Sequence, residues 1–146
     1  MSRLSVSPQE ILARCLVTVG IIFYAVAVPF LEWNSSHVLN PEWPSHARLH
    51  EVWQLATNCG IGLFSLWLIW FKGHLRLAGL MTFFVTGGFF VAYYFRSIYS
   101  GSMLMSDGSE KLVLGINIGV FGFGVALILM VFGLLLSKNK ALKPKM

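Results

Sequence analysis

The side chains best suited to chemistry crowd into one stretch, Glu32 to Asn58, EWNSSHVLNPEWPSHARLHEVWQLATN. It holds three of the four histidines, three of the six acids and three of the five tryptophans. A histidine and a carboxylate at the mouth of an apolar cavity can be tuned by burial to give and take protons, so His50 and Glu51 are the candidate catalytic pair. His46 and His50 stand four residues apart, which puts two imidazoles on one helix face. With His37 they form the candidate metal set, and Met103 and Met105 on the same side of the chain would suit Cu(I). No HExxH motif is present, and such a metal ion is the one cofactor the sequence suggests. The plainer reading is structural: tryptophans anchor at an interface, histidines bond loop carbonyls, and Arg48 and Arg96 neutralise the acids.

The elements that must position these groups are apolar runs. The chain is 56% hydrophobic and 12% charged, about half the charge of a soluble domain. That leaves too little polar surface for a water-soluble globule and points to a membrane protein. The net charge of +5 does not indicate nucleic acid, because the cations sit at the ends of the apolar runs. The predicted fold is all-α: one domain of four membrane-spanning helices over residues 11–31, 44–71, 77–98 and 112–136, with loops 32–43 and 99–110 on one side. Asn40-Pro41 and Trp43-Pro44 mark turns or a helix start. Lys72 to Arg76 is a tight basic turn that makes the second and third helices antiparallel neighbours. The alternative for the first run is a signal peptide, with Ala25-Val26-Ala27 as its cleavage site; a retained helix is expected. Cys15 and Cys59 have no CxxC spacing and read as small buried hydrophobes. Asn34-Ser35-Ser36 fits a glycosylation acceptor.

Orientation follows from charge. Arg3, Arg14, Lys72, Arg76, Lys138, Lys140, Lys143 and Lys145 share a side with both termini, while five of the six acids lie opposite. The positive-inside bias then puts both termini in the cytoplasm of a bacterium and the 32–50 loop in the periplasm, the protein lying in the inner membrane.

The helix faces extend the site. At 100° per residue Glu51, Gln54, Asn58 and Ser65 fall on one stripe, with Gly62 beside it and His46, His50 and Thr57 at its edge. Thr82, Thr86, Tyr93 and Arg96 share a sector of the third helix, and Arg96 is expected to pair with Glu32 or Glu51. The predicted substrate-binding set is Trp33, His46, Trp53, Gln54, Asn58, Tyr93, Arg96 and Asn117. Gly115, Gly119, Gly122, Ala126 and Gly133 form a smooth face for close packing, open to a second copy or to other membrane subunits.

The helix opening at His46-Ala47-Arg48-Leu49-His50-Glu51-Val52-Trp53 resembles the His-x-x-x-Glu-x-Trp pattern of emopamil-binding, sterol-isomerase-type membrane proteins, with Ala47 at the position of the pattern's histidine. That likeness implies proton donation and removal on a sterol-like or isoprenoid substrate. The loop Asn40-Pro41-Glu42-Trp43-Pro44-Ser45-His46-Ala47-Arg48-Leu49-His50 is similar to the N-P-x-W-P-x-H-A-R-x-H loop of a group of small four-helix membrane proteins, which implies the topology but no reaction. The expected function is binding of a lipid-like or isoprenoid amphiphile in an outward-facing polar pocket, with isomerase or cyclase chemistry by His50 and Glu51. The alternative is a non-enzymatic membrane subunit or a metal-handling protein using His37, His46 and His50.

Overall fold

The computed structural model describes residues 6–105 and 107–138. Arg3, Lys140, Lys143 and Lys145 of the orientation argument lie outside the described residues. Among the described residues four helices are long and apolar enough to cross a membrane: α1 (Pro8–Glu32), α2 (Ser45–Lys72), α3 (Leu75–Tyr99) and α4 (Ile118–Lys138). A two-residue turn joins α2 to α3, so the helix order alternates up and down.

α1 starts three residues before the apolar run, because Ser7-Pro8-Gln9-Glu10 is a start signal in itself. The Ser7 hydroxyl accepts from the Glu10 amide at 3.3 Å, and Pro8 occupies the first turn. Such a cap contributes about 1 kcal/mol. Glu10 also pairs with Arg14 at 3.3 Å. Further along, Phe23–Ala27 widens into a π turn just ahead of Pro29. Proline has no N–H to offer the carbonyl four residues back, which is that of Ala25. The Cys59 thiol donates to it instead, at 3.2 Å. Cys59 is thus a hydrogen-bond donor, half-buried rather than a plain core residue, and Cys15 is exposed.

α2 ends on Gly73 at φ +69, the left-handed conformation that glycine adopts without a side-chain clash. The His74 amide closes the turn on Leu68 O at 2.8 Å. α4 starts at Ile118, later than the predicted residue 112, although the apolar run is continuous. Leu112–Val113 and Ile116–Asn117 form a short antiparallel hairpin, strands β1 and β2, around the turn Leu114-Gly115. Asn117 then caps α4, its Oδ1 accepting from the Gly119 amide at 2.8 Å.

α1 and α4 pack most closely. A Cβ on Gly20 would stand 2.9 Å from the Ala126 carbonyl oxygen, and one on Gly133 would stand 2.8 Å from that of Ala13. Of the predicted small-residue face, Ala126 and Gly133 pack against α1 within the chain, Gly119 and Gly122 border a cavity, and Gly115 lies in the hairpin turn rather than on α4. The buried centre comprises Val17, Ile21 and Tyr24 of α1, Leu68 and Ile69 of α2, Ala78 of α3 and Phe123 of α4. Asn58, Gly62 and Ser65 are buried along α2, and Thr82 and Thr86 along α3, as their helical spacing predicts. The two threonine hydroxyls bond back to Ala78 O and Thr82 O at 3.0 and 2.9 Å, so each is satisfied within its own helix.

Candidate functional site

A cavity of about 400 Å³ opens between α1, α4 and the 103–117 segment, at the end of the bundle that carries the first loop. Its walls are apolar: Phe23, Val28 and Leu31 of α1, Phe89 of α3, and Phe121 and Phe123 of α4. Phe89 stacks on Phe123 with ring centroids 4.3 Å apart, which stiffens one wall. Met103 and Met105 close it from the loop. That loop is shaped by Asp107, whose Oδ1 accepts from Ser109 N at 2.8 Å and from Ser109 Oγ at 2.6 Å. Those two bonds hold the Asp107 carboxyl below the usual carboxylate range. Five polar side chains line the cavity: Tyr24, Glu32, His37, Lys111 and Asn117.

His37 enters the site because its loop folds on two asparagines. Asn34 Oδ1 accepts from Ser36 N at 2.7 Å, and Asn40 Oδ1 accepts from Glu42 N at 2.9 Å. Both are Asx turns, in which the side chain imitates a backbone turn. The Asn34 amide also donates to Leu31 O, so the proposed glycosylation acceptor is engaged in holding the loop. Asn40, the first residue of the N-P-x-W-P motif, is buried beneath it. Val38 N bonds Glu32 O at 3.2 Å and returns the chain to the end of α1.

This places His37 Nε2 3.2 Å from Glu32 Oε2. On the other side of the ring, Nδ1 lies 2.9 Å from Ser36 Oγ. The Ser36 hydroxyl has one proton, and its 2.6 Å contact with Asn34 Oδ1, an acceptor, takes it. Nδ1 must then be the donor to Ser36 Oγ. Nε2 is then bare in the neutral ring, and it hydrogen-bonds the Glu32 carboxyl only when one of the two groups carries a further proton. Burial first, then the Lys111 cation, push the His37 pKa below its ordinary value, with Glu51 pulling the other way. Trp43 sets its ring edge against the imidazole, centroids 5.9 Å apart, which limits the ring's rotation.

The sequence-predicted site divides. Glu51 is half-buried and close enough to His37 for their charges to interact. Asn117 lines the cavity while capping α4, and its amide donates to Glu110 Oε1 at 3.0 Å. Asn58 is buried against the bundle but does not line the cavity. Tyr93 is half-buried, 6.3 Å from Phe89 in a stacked arrangement. Gln54, Trp33, Trp53, His46 and His50 are exposed. His50 pairs with His46 rather than with Glu51, since its position on the helix turns it away from the bundle.

The expected ion pair of Arg96 with Glu32 or Glu51 is absent among the described residues. Arg96 folds back on its own helix, donating to Tyr93 O at 2.8 Å with its guanidinium 4.2 Å from the Tyr93 ring. Carbonyls in the last helical turn lack amide partners, and the negative end of the helix dipole attracts a cation. Lys111 is the cation that faces Glu32 and His37. Among the described residues no group of three or more His, Cys, Asp or Glu side chains is arranged to hold a metal ion. The predicted set of His37, His46 and His50 is split by the loop that carries His37 to Glu32.

Glu32, His37, Lys111 and the two methionines form the site that sequence reasoning left out of the acid–base role. The available signal was Asn34 and Asn40 flanking His37, two turn formers that bend the loop back toward residue 32. Compared with protein-family models, curated proteins and solved structures, the chain matches none.

Proposed function

We propose that the protein lies in a bacterial inner membrane with both termini cytoplasmic, and binds a lipid-like or isoprenoid amphiphile in the cavity at its periplasmic end. The apolar tail lies among Phe23, Phe89, Phe121 and Phe123, and the head meets Glu32, His37, Lys111 and Asn117. A cavity of about 400 Å³ lies within the range of about 300–1,000 Å³ common to small-molecule sites. The observation that carries this reading is the His37–Glu32 contact of 3.2 Å at the polar end of an otherwise apolar chamber. When the pair carries a proton, it can be delivered to a double bond of the ligand while a neighbouring carbon returns one to the same pair. The net change is a shifted or ring-closed double bond with no proton gained or lost. Glu51 sits beside this pair and adjusts its charge.

The test is native mass spectrometry of protein extracted from its own membranes, followed by incubation in D2O. The expected result is a stoichiometric amphiphile that acquires deuterium, with incorporation lost in Glu32→Gln and His37→Ala. Gly122→Leu, which fills the chamber, should empty it. A wild-type chamber without amphiphile, or equal occupancy in Gly122→Leu, overturns the binding reading. A bound amphiphile with no deuterium overturns the chemistry and leaves a carrier.

A further inference from the structure

The two histidines that the cavity does not use make a site of their own. His46 and His50 occupy the first turns of α2 with Nε2 atoms 3.0 Å apart and rings nearly perpendicular, at 83°. Both are exposed, so ions in solution can reach them. The two nitrogens are joined by a hydrogen bond, and a metal ion bound by both would displace its proton.

We infer that His46 and His50 chelate a divalent first-row transition metal, copper(II) ahead of zinc(II). Two nitrogens bound at about 2.0–2.1 Å to one metal stand about 2.8–3.4 Å apart for right-angle to tetrahedral geometry. The observed separation of 3.0 Å falls inside that span. Spacing of four residues on a helix keeps the pair in register without help from another element. The metal preference follows from the donors: two imidazoles rank copper(II) above nickel(II) and zinc(II). Calcium and magnesium, which prefer oxygen donors, are poorly served by two imidazoles. His50 is further steadied by Trp53, ring centroids 5.7 Å apart. With two protein ligands the remaining positions belong to water, so the site captures and releases an ion rather than locking one in. It is independent of the amphiphile reading, since neither histidine lines the cavity.

The test uses the full chain in nanodiscs, without a histidine tag, titrated with copper(II) and with zinc(II). Paramagnetic resonance of the copper form should show coupling to imidazole nitrogens, and Trp53 fluorescence should be quenched on binding. His46→Ala and His50→Ala should each weaken copper affinity at least tenfold, while His37→Ala leaves it unchanged. Trp53→Phe should remove the quenching and keep the affinity. Equal affinity in wild type and the His46→Ala/His50→Ala double variant overturns the site. So does a loss in His37→Ala as large as in either single variant.

Discussion

His37 Nε2 and Glu32 Oε2 stand 3.2 Å apart, so the first loop meets the end of α1 at the same two atoms between which a proton can pass. The imidazole is reached by a carboxylate on one side and a committed serine hydroxyl on the other. Neither neighbour leaves it free to rotate, and acid–base character and loop order therefore rise or fall together.

That coupling makes the loop sensitive to acid. Burial and Lys111 hold the His37 pKa below its ordinary value, so the unfolded chain takes up a proton more readily than the folded one. The stabilisation is fully present above about pH 6.5, the ordinary histidine value. It is lost as pH falls through the lower folded value. NMR titration of the His37 ring should show its midpoint below 6.5, and Lys111→Met should move that midpoint upward. A midpoint at or above the ordinary value contradicts the arrangement described.

Cys59→Ala should cost about 1 kcal/mol, the net worth of one intramolecular hydrogen bond, because it leaves Ala25 O without the thiol. Cys59→Ser should recover part of that. In Pro29→Ala the backbone regains an amide next to the π turn, and the Cys59→Ala penalty should shrink. Equilibrium unfolding of the four-variant cycle in mild detergent measures the coupling, and additive effects would separate the two residues.

Leu114 adopts φ +53 at the tip of the hairpin and is 87% exposed. A left-handed leucine costs about 1–2 kcal/mol, and the two-residue turn it shares with Gly115 favours asparagine in its place. Leu114→Asn should therefore raise the thermal midpoint of the detergent-solubilised protein. A lowered midpoint would mean that the leucine makes a stabilising contact beyond the chain.

Two glycine substitutions should act in opposite directions. Gly20→Ala puts a methyl 2.9 Å from the Ala126 carbonyl oxygen and must part α1 from α4, at about 1–3 kcal/mol for an overpacked contact. Gly60→Ala meets nothing within 4 Å and should gain up to about 1 kcal/mol of helix propensity. Unfolding by denaturant titration compares them directly. Equal effects would argue against the close α1–α4 approach.

The four apolar helices were legible in the sequence, because a bilayer-length run of hydrocarbon side chains has few other uses. So was the inner part of the predicted stripe, Asn58, Gly62 and Ser65, since a period of 3.6 residues determines which positions share a face, although Gln54 at its outer end is exposed. The start of α4 was not, because Leu112 to Ile116 is as apolar as the helix that follows. Only the positive φ values of Leu114 and Gly115, and the Asn117 cap, turn it into a hairpin. Nor could sequence choose between His37 and His50 as the partner of a carboxylate. His50 is adjacent to Glu51 in the chain, yet neighbours in a helix point about 100° apart, whereas His37 comes back to Glu32 through turns closed by Asn34 and Asn40. Local periodicity sets what each helix hides. The meeting of groups on different elements depends on loop closure and helix packing, which only the tertiary structure decided.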